Sequence, residues 1–425
     1  MNKCALLLLA ACVLFFENHA CGQWVHLDGP FSHAGVGAIA VSGGNILAVA
    51  NSHLFLSTDN GTSWTAIDSC LPANTGVWCL AASGSNIFAG TAGGIFLSTD
   101  NGTSWTAVNS GFKKDTVTCF AVSGSNIFAG TYGGRVFLST NNGANWTAVN
   151  SRLTNTWVNC LAVSGGSIFA GTGANMDGYC GGVFLSTNNG TSWKAVNSGL
   201  PASPACIGVV SLAVSGGSIF AGTSGGVFLS TNNGTNWKEV DSGLPENLLE
   251  YITVNCFAVS GSNIFAGTYG GGVFLSTNNG TSWTAVNSAV SSLWANPIVY
   301  SLAMSGSDIF AGTDNWGIWR RPLSDMVSII PQNQQTIPLK TRLRVAASGA
   351  LHSGVMLNYS IRSRCIVHLG IYAVSGKQVA LLEQGERAPG EYAFKFDTGR
   401  IPAGFYVCRF QAGSYQESNR LMVVK

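Results

Sequence analysis

The chain repeats itself. Between residue 24 and about residue 320 of 425, one unit recurs, written in its fourth copy as VNCLAVSGGSIFAGT and then, after an insertion, GGVFLSTNNGTSWKAVNSGL. Aligned on tryptophan, the copies fall at Trp24, Trp64, Trp105, Trp146, Trp193, Trp237 and Trp283, with spacings of 40, 41, 41, 47, 44 and 46. Repeats of this length belong to stacked or radial arrays. Each copy holds four short runs of strand-forming residues, separated by glycine pairs and by Ser-Gly or Asn-Gly turns. Four strands in 40 to 47 residues make one antiparallel meander, the blade of a β-propeller. No segment carries a convincing helical period, which excludes helical solenoids.

The two ends of the array are complementary. Gln23-Trp24-Val25-His26-Leu27-Asp28 matches the fourth strand of the unit, as in Ser63-Trp64-Thr65-Ala66-Ile67-Asp68, whereas Ile298 to Trp319 supplies three strands and then stops. The N-terminal strand is therefore expected to complete the last blade and close a ring without free sheet edges. The expected fold is all-β: a seven-bladed propeller over residues 23–323, a linker over 324–339 and a small β-sandwich over 340–425.

The turn between the third and fourth strands is nearly invariant: STDNGTSW at 57 and 98, STNNGANW at 139, STNNGTSW at 186 and 276, and STNNGTNW at 230. It resembles the Asp-box motif Ser-x-Asp-x-Gly-x-x-Trp of bacterial-neuraminidase-type repeats, with Asn141, Asn188, Asn232 and Asn278 in place of the aspartate. A short side-chain acceptor for turn amides, a glycine at positive φ and a buried tryptophan suffice for such a turn. These are read as structural turns; Asn for Asp removes the charge that calcium would need.

Only 9% of the residues are charged against 46% hydrophobic, which excludes a disordered or nucleic-acid-binding chain. Residues 23–324 carry 8 basic and 12 acidic groups, residues 325–425 carry 12 and 6, so the formal +2 conceals a charge-poor propeller and a basic tail. Residues 1–22 read as an export signal: Lys3, an apolar run from Ala5 to Phe16, and Ala20-Cys21-Gly22 as a small-x-small cleavage site. The run is too short for a membrane span, so no transmembrane helix is expected in the mature chain. Cys79, Cys119, Cys160 and Cys256 share one place in the repeat with Ala38, Ser211 and Ser301, and read as small buried side chains.

Beyond the proline-punctuated segment Ser324 to Leu339, short alternating strands return at Met356–Ile361, Ile366–Tyr372, Gln378–Leu382, Glu391–Phe396, Phe405–Gln411 and Ser418–Val424. This region resembles the type A sorting domain of type IX secretion, found in Bacteroidetes and related phyla. The likeness rests on Tyr359-Ser360-Ile361, Val367-x-Leu369-x-Ile371-Tyr372, Gly376-Lys377-x-Val379, Gly390-x-Tyr392-x-Phe394-x-Phe396-Asp397, Ile401-Pro402-Ala403-Gly404-x-Tyr406, Gly413 and Lys425. It implies an address read by an outer-membrane export machine, and hence a secreted or surface-held protein of a Gram-negative bacterium. Candidate disulfides are Cys365–Cys408, both on sandwich strands, and Cys180–Cys206, on loops of one propeller face.

No catalytic set assembles along the sequence. Sialidases share Asp boxes but need an arginine cluster, and the propeller has only Arg135, Arg152, Arg320 and Arg321. Carboxylates for a glycosidase pair come only from Asp115, Asp177, Glu246, Glu250 and Asp314, scattered over different blades. His26, His33 and His53 lack ligand spacing, so no metal or other cofactor is expected. What remains is binding by a monomer, with a secreted glycoside hydrolase as the alternative. The longer connections, Gly173–Cys180, Pro201–Val209, Pro245–Val254 and Ala289–Val299, all emerge opposite the Asp boxes, and departures from a uniform repeat make sites. Residues just before the Cys or Ser position, Gly37, Trp78, Thr118, Asn159, Val210, Asn255 and Tyr300, are expected to ring the axis near that face. The hairpin after the second strand adds Tyr132, Tyr269, Asp314 and Trp316. From these, Trp78, Asn159, Asn255, Tyr300, Tyr132, Tyr269, Asp314 and Trp316 are the candidate contacts to a glycan or protein ligand, with Arg135 and Tyr179 as weaker candidates.

Overall fold

A computed structural model describes residues 23–327 and 342–423, apart from 32–33, 69–70, 73–74, 113–114, 154–156, 174–180, 202–207, 246–251, 288–297, 347–354, 362–363, 389 and 414. Seven four-stranded antiparallel sheets form the propeller. The second blade shows the plan: Val77–Ser83 inside, then Asn86–Thr91, Gly94–Ser98 and the short outer Thr106–Ala107. The second strand is flanked by neighbours on both sides and both faces, so its apolar run is buried throughout, whereas the outer pair Thr106–Ala107 is exposed. In the seventh blade the strands Val299–Ser305, Asp308–Thr313 and Ile318–Pro322 are completed by Val25–Leu27, with His26 opposite Trp319.

The apolar cores lie between blades. One cluster joins Leu47 and Val49 of the first blade to Ile87, Ala89, Phe96 and Trp105 of the second, and equivalent clusters occupy the other six interfaces. Two rings of hydrogen bonds fasten the same interfaces. At the outer radius each tryptophan donates from Nε1 backward: Trp105 to Ile67 O, Trp146 to Val108 O, Trp193 to Val149 O, Trp237 to Val196 O, Trp283 to Val240 O and Trp24 to Val286 O, at 2.6–3.0 Å. Trp64 is the exception. Its indole bonds Gly61 O of its own turn, and Phe31 packs edge-on against it at 4.9 Å.

At the inner radius the donors point forward. Cys79 reaches Val117 O, Thr118 and Cys119 reach Val158 O, Asn159 reaches Val209 O, Ser211 reaches Val254 O, Asn255 and Cys256 reach Val299 O, and Ser301 reaches Val36 O. The cysteine or serine leaves no room for a side chain on the second strand. A Cβ on Gly90 would press into the Cys79 sulfur and lie 2.8 Å from Val117 Cγ1, and Gly130, Gly171, Gly222, Gly267 and Gly312 are in the same position. The first blade solves the problem the other way round, setting Ala38 opposite Val49.

The recurrent turn is held by one serine and one acceptor. Ser57 Oγ donates to Asp59 Oδ1 at 2.8 Å and accepts from Gly61 N, while Asp59 Oδ1 also accepts from Ser63 N. The asparagine copies keep this pattern, as Asn141 Oδ1 shows with Ser139 Oγ and Asn145 N. Only the second group differs: Asp59 Oδ2 accepts from Ser63 Oγ, whereas Asn188 Nδ2 donates to Ser192 Oγ. Asn142 and Gly143 both take positive φ, 53° and 83°, which asparagine and glycine tolerate at little cost.

The C-terminal unit packs a three-stranded sheet, Arg342–Ala346, Val355–Ile361 and Gly390–Phe396, against a four-stranded one, Gln378–Arg387, Cys365–Ala373, Gly404–Ala412 and Tyr415–Val423. Leu357, Tyr359, Ile361, Val367, Leu369, Ile371, Cys408 and Phe410 fill its core. The strand Arg342–Ala346 is additional to those expected from sequence. The Cys365–Cys408 disulfide is not formed: both thiols are free. Cys408 pairs with Ile371, and Cys365 lies six residues further along that strand. That is about 20 Å at ~3.3 Å per residue, far outside disulfide reach. The linker also starts later than expected. Leu323–Val327 is a short helix that buries Met326 against the propeller, and buried Arg321 donates to Val286 O at 2.7 Å. Cys180 and Cys206 lie outside the described residues.

Two outcomes test this account. Gly90→Ala should cost ~1–3 kcal/mol through overpacking, and Cys79→Ala should recover part of it in a urea-unfolding double-mutant cycle; additive losses would show that the two residues do not compete for space. Hydrogen bonds from Ser63 and Ser57 hold the Asp59 carboxyl down at about 2, and those from Ser104 and Ser98 lower Asp100 likewise. Stability from these two groups is present above the unfolded value near ~4 and is lost as pH falls through the folded value. Between about pH 4 and 2 the D59N/D100N variant should therefore lose less in thermal midpoint than the parent chain.

Candidate ligand-binding face

Every inner strand slips register at the same point. Val77 pairs with Thr91 and Cys79 with Gly90, leaving Trp78 as an extra residue, and the other six blades do the same at Gly37, Thr118, Asn159, Val210, Asn255 and Tyr300. These are β-bulges, which leave one residue unpaired and re-aim its side chain. The seven bulge residues are the seven expected from sequence to ring the axis. Neighbouring inner strands pack side by side around the ring, so the bulges form a circle of equivalent stations.

The hairpin after the second strand sits beside each station. Tyr132 N donates to Thr116 O, Tyr269 N to Thr253 O and Asp314 N to Ile298 O, at 2.9–3.1 Å, tying the hairpin to the residues that lead into the inner strand. Trp78, Tyr132, Tyr269, Tyr300 and Trp316 are 40–61% exposed. Among the described residues of the propeller they are all of the large exposed hydrophobics, and all five stand at bulge or hairpin positions of one face. Asn159 and Asn255 differ. Their amide donors are spent on Val209 O and Val299 O of the next blade, a structural commitment that their spacing alone did not reveal.

The aromatics fall into groups. Tyr132 stacks on Trp157 across the third and fourth blades, with centroids 4.3 Å apart and planes at 21°. Trp157 was missed from sequence; its signal is an aromatic directly before an inner strand, where other copies have Gly35, Gly76, Thr116, Gly208, Thr253 and Ile298. Asp314 N is bonded to Ile298 O, two residues before Tyr300, and Asn255, two residues after the Thr253 that holds Tyr269, is bonded to Val299 O, so the three residues occupy neighbouring positions on the sixth and seventh blades; burial first, then Asp314 and Tyr269, raise the Tyr300 phenol. Trp316 lies at the tip of the hairpin closed by Thr313 N and Gly317 O. Arg135 lies 3.9 Å from Asp115 Oδ2, on the third blade.

Of the five carboxylates considered for acid–base work, Asp177, Glu246 and Glu250 lie outside the described residues, as do Tyr179 and most of the four long connections. Asp115 and Asp314 are three blades apart around the ring. Among the described residues, no group of three or more His, Cys, Asp or Glu side chains is placed to hold a metal ion. The inner-ring thiols are chemically quiet: burial pushes Cys119 up to about 12 and raises Cys79, Cys160 and Cys256 as well.

A family model described as the DUF6242 beta propeller domain matches residues 38–160. No curated protein matches the chain. Among solved structures, the chain is similar to the extracellular domain of BT4673 from B. thetaiotaomicron, described as a one component system, at 16% identity and a TM-score of 0.58, covering 79% of this chain and 46% of that one. It is similar to YCF48 bound to D1 peptide, at 15% identity and a TM-score of 0.54, covering 71% and 97%. It is also similar to PorZ, a bacterial surface component of the type-IX secretion system of Porphyromonas gingivalis, at 15% identity and a TM-score of 0.51, covering 91% and 59%. These likenesses show a β-propeller fold, and the chain spans about half the length of the BT4673 domain.

A thiol-specific disulfide reagent should leave Cys79, Cys119, Cys160 and Cys256 unmodified in the native protein and label them in denaturant, read by intact mass. Rapid native labelling of any of the four, of which Cys79 is buried and the others half-buried, would contradict their confinement between the inner strands of adjacent blades.

Proposed function

We propose that this protein is a secreted or cell-surface propeller that binds a glycan or protein ligand on its bulge face without catalysis. The observation that carries the reading is the confinement of Trp78, Tyr132, Tyr269, Tyr300 and Trp316 to that face. Solvent-exposed aromatics in a propeller otherwise lined by Ser, Thr, Asn and Gly supply contact area at low entropic cost, and clustered exposure of this kind marks interaction sites. Two propellers of similar fold, the BT4673 domain and PorZ, are extracellular or surface components.

The C-terminal sandwich, by its resemblance to type IX sorting domains, acts as the export address, delivering the propeller to the outside of a Gram-negative cell. No cofactor enters this reading. The expected stoichiometry is one chain to one ligand.

A glycan and peptide array probed with residues 23–425 tests the binding reading. Saturable binding that falls about ten-fold or more in Trp78→Ala or Tyr300→Ala is the expected outcome, since truncating an aromatic anchor typically costs over 1 kcal/mol. Polysaccharide turnover abolished by changing Asp177, Glu246, Glu250 or Asp314 singly to Ala would replace it with a glycosidase. Separately, removing residues 340–425 should leave the protein inside the cell; normal export of the truncated chain would end the sorting reading.

A further inference from the structure

The corner of the bulge face formed by the sixth and seventh blades has an unusual composition. Tyr300 stands at the bulge of the seventh inner strand, Tyr269 on the hairpin of the sixth blade and Asp314 on the hairpin of the seventh. Both tyrosine rings are exposed. Asp314 Oδ2 accepts a long bond of 3.4 Å from its neighbour Asn315, while Oδ1 is buried with no hydrogen-bond partner. No cationic side chain among the described residues lies within ion-pair distance of it. The carboxylate is thus half desolvated and not neutralised, a state that costs free energy until a positive charge arrives.

The sequence of these blades leans to the same sign. Residues 208–319 contain one basic residue, Lys238, against Glu239, Asp241, Glu246, Glu250, Asp308 and Asp314. The nearest arginines in sequence are committed elsewhere: Arg320 to Asn60 O and Asp308, Arg321 to Val286 O. Two exposed tyrosine rings and an unpaired carboxylate at these neighbouring positions supply the elements of an aromatic cage, which attracts cations through the ring quadrupoles and the carboxylate together. An anionic sugar would meet the wrong charge, and a neutral one would leave Asp314 without a counter-ion.

We propose that Tyr269, Tyr300 and Asp314 form a subsite for a cationic side chain, arginine or lysine, of a protein ligand. This deepens the binding reading above and rests on it for the face that is used. Planar guanidinium suits the site best, because it can lie against a tyrosine ring while donating to Asp314.

Citrulline is a neutral, nearly isosteric replacement for arginine, and provides the test. Acetylated, amidated pentapeptides of alanine with a central arginine or a central citrulline are titrated into the protein of residues 23–425, followed by ligand-observed NMR. The arginine peptide should bind about ten-fold or more tightly than the citrulline peptide, and its affinity should fall with added salt. Asp314→Asn should abolish that preference, and Tyr300→Ala should weaken binding of both peptides. If Asp314→Asn fails to fold, judged by its unfolding transition, the Tyr300→Ala and salt results decide in its place. Equal affinity for the two peptides in the parent protein, or absence of saturation by about 10 mM, overturns the cation subsite. Array binding that is lost in Trp78→Ala while the two peptides bind equally would overturn the subsite and leave the wider binding reading standing.

Discussion

A blade cannot bury itself. Its four strands present apolar side chains on both faces, so each sheet needs a neighbour on either side, and the requirement ends only when the seventh sheet meets the first. Everything else in the propeller follows from that face-to-face packing, which supplies seven apolar clusters, one per interface. The hydrogen bonds across the interfaces add direction. Indoles at the outer edge reach back to the preceding blade, and small donors at the inner edge reach forward to the next, so five of the seven pairs of sheets are clasped at both radii in opposite senses; the first and second blades lack the inner bond and the seventh and first the outer one. Each such bond contributes only about 1 kcal/mol; their effect is to fix how far one sheet can slide or tilt on another, with burial providing the bulk of the stability.

The inner bulges show how a uniform scaffold produces a non-uniform surface. The backbone makes the same slip in all seven blades, so it confers no distinction among them. Distinction comes from the residue placed at the slip: nothing at Gly37, a hydroxyl committed to the next blade at Thr118, amide donors likewise at Asn159 and Asn255, and free aromatic surface at Trp78 and Tyr300. The same economy appears one layer down, where a cysteine or serine opposite glycine and an alanine opposite valine fill one volume in two ways.

Much of this was readable from the residues because the propeller is periodic. The Trp spacing, the strand-like runs and the unmatched fourth strand at residues 24–28 are properties of a one-dimensional pattern, and they led to the ring, its closure and the face that carries the aromatics. What the pattern did not contain was contact across blades. That Asn159 and Asn255 spend their amides on the next blade depends on the distance between sheets, and so does the Tyr132–Trp157 stack. The Cys365–Cys408 pairing failed for a related reason: both residues lie on adjacent strands, but the register that separates them by six positions is a matter of how the strands align. Likewise Met326 looked like linker, since nothing local records that it is buried against the seventh blade.

The strand Val25–Leu27 joins its partner across nearly the whole propeller, and Trp24 bonds a carbonyl 262 residues away. A contact so distant along the chain carries a large loop-closure cost, of the kind that slows folding. Tyr300 and Asp314 belong to that same last blade, so the corner with the exposed tyrosines and the unpaired carboxylate is assembled at the seam of the ring. Closure thus also completes this corner: a chain still open at its ends lacks the close approach of first-blade Gly35 to the Asp314 carbonyl.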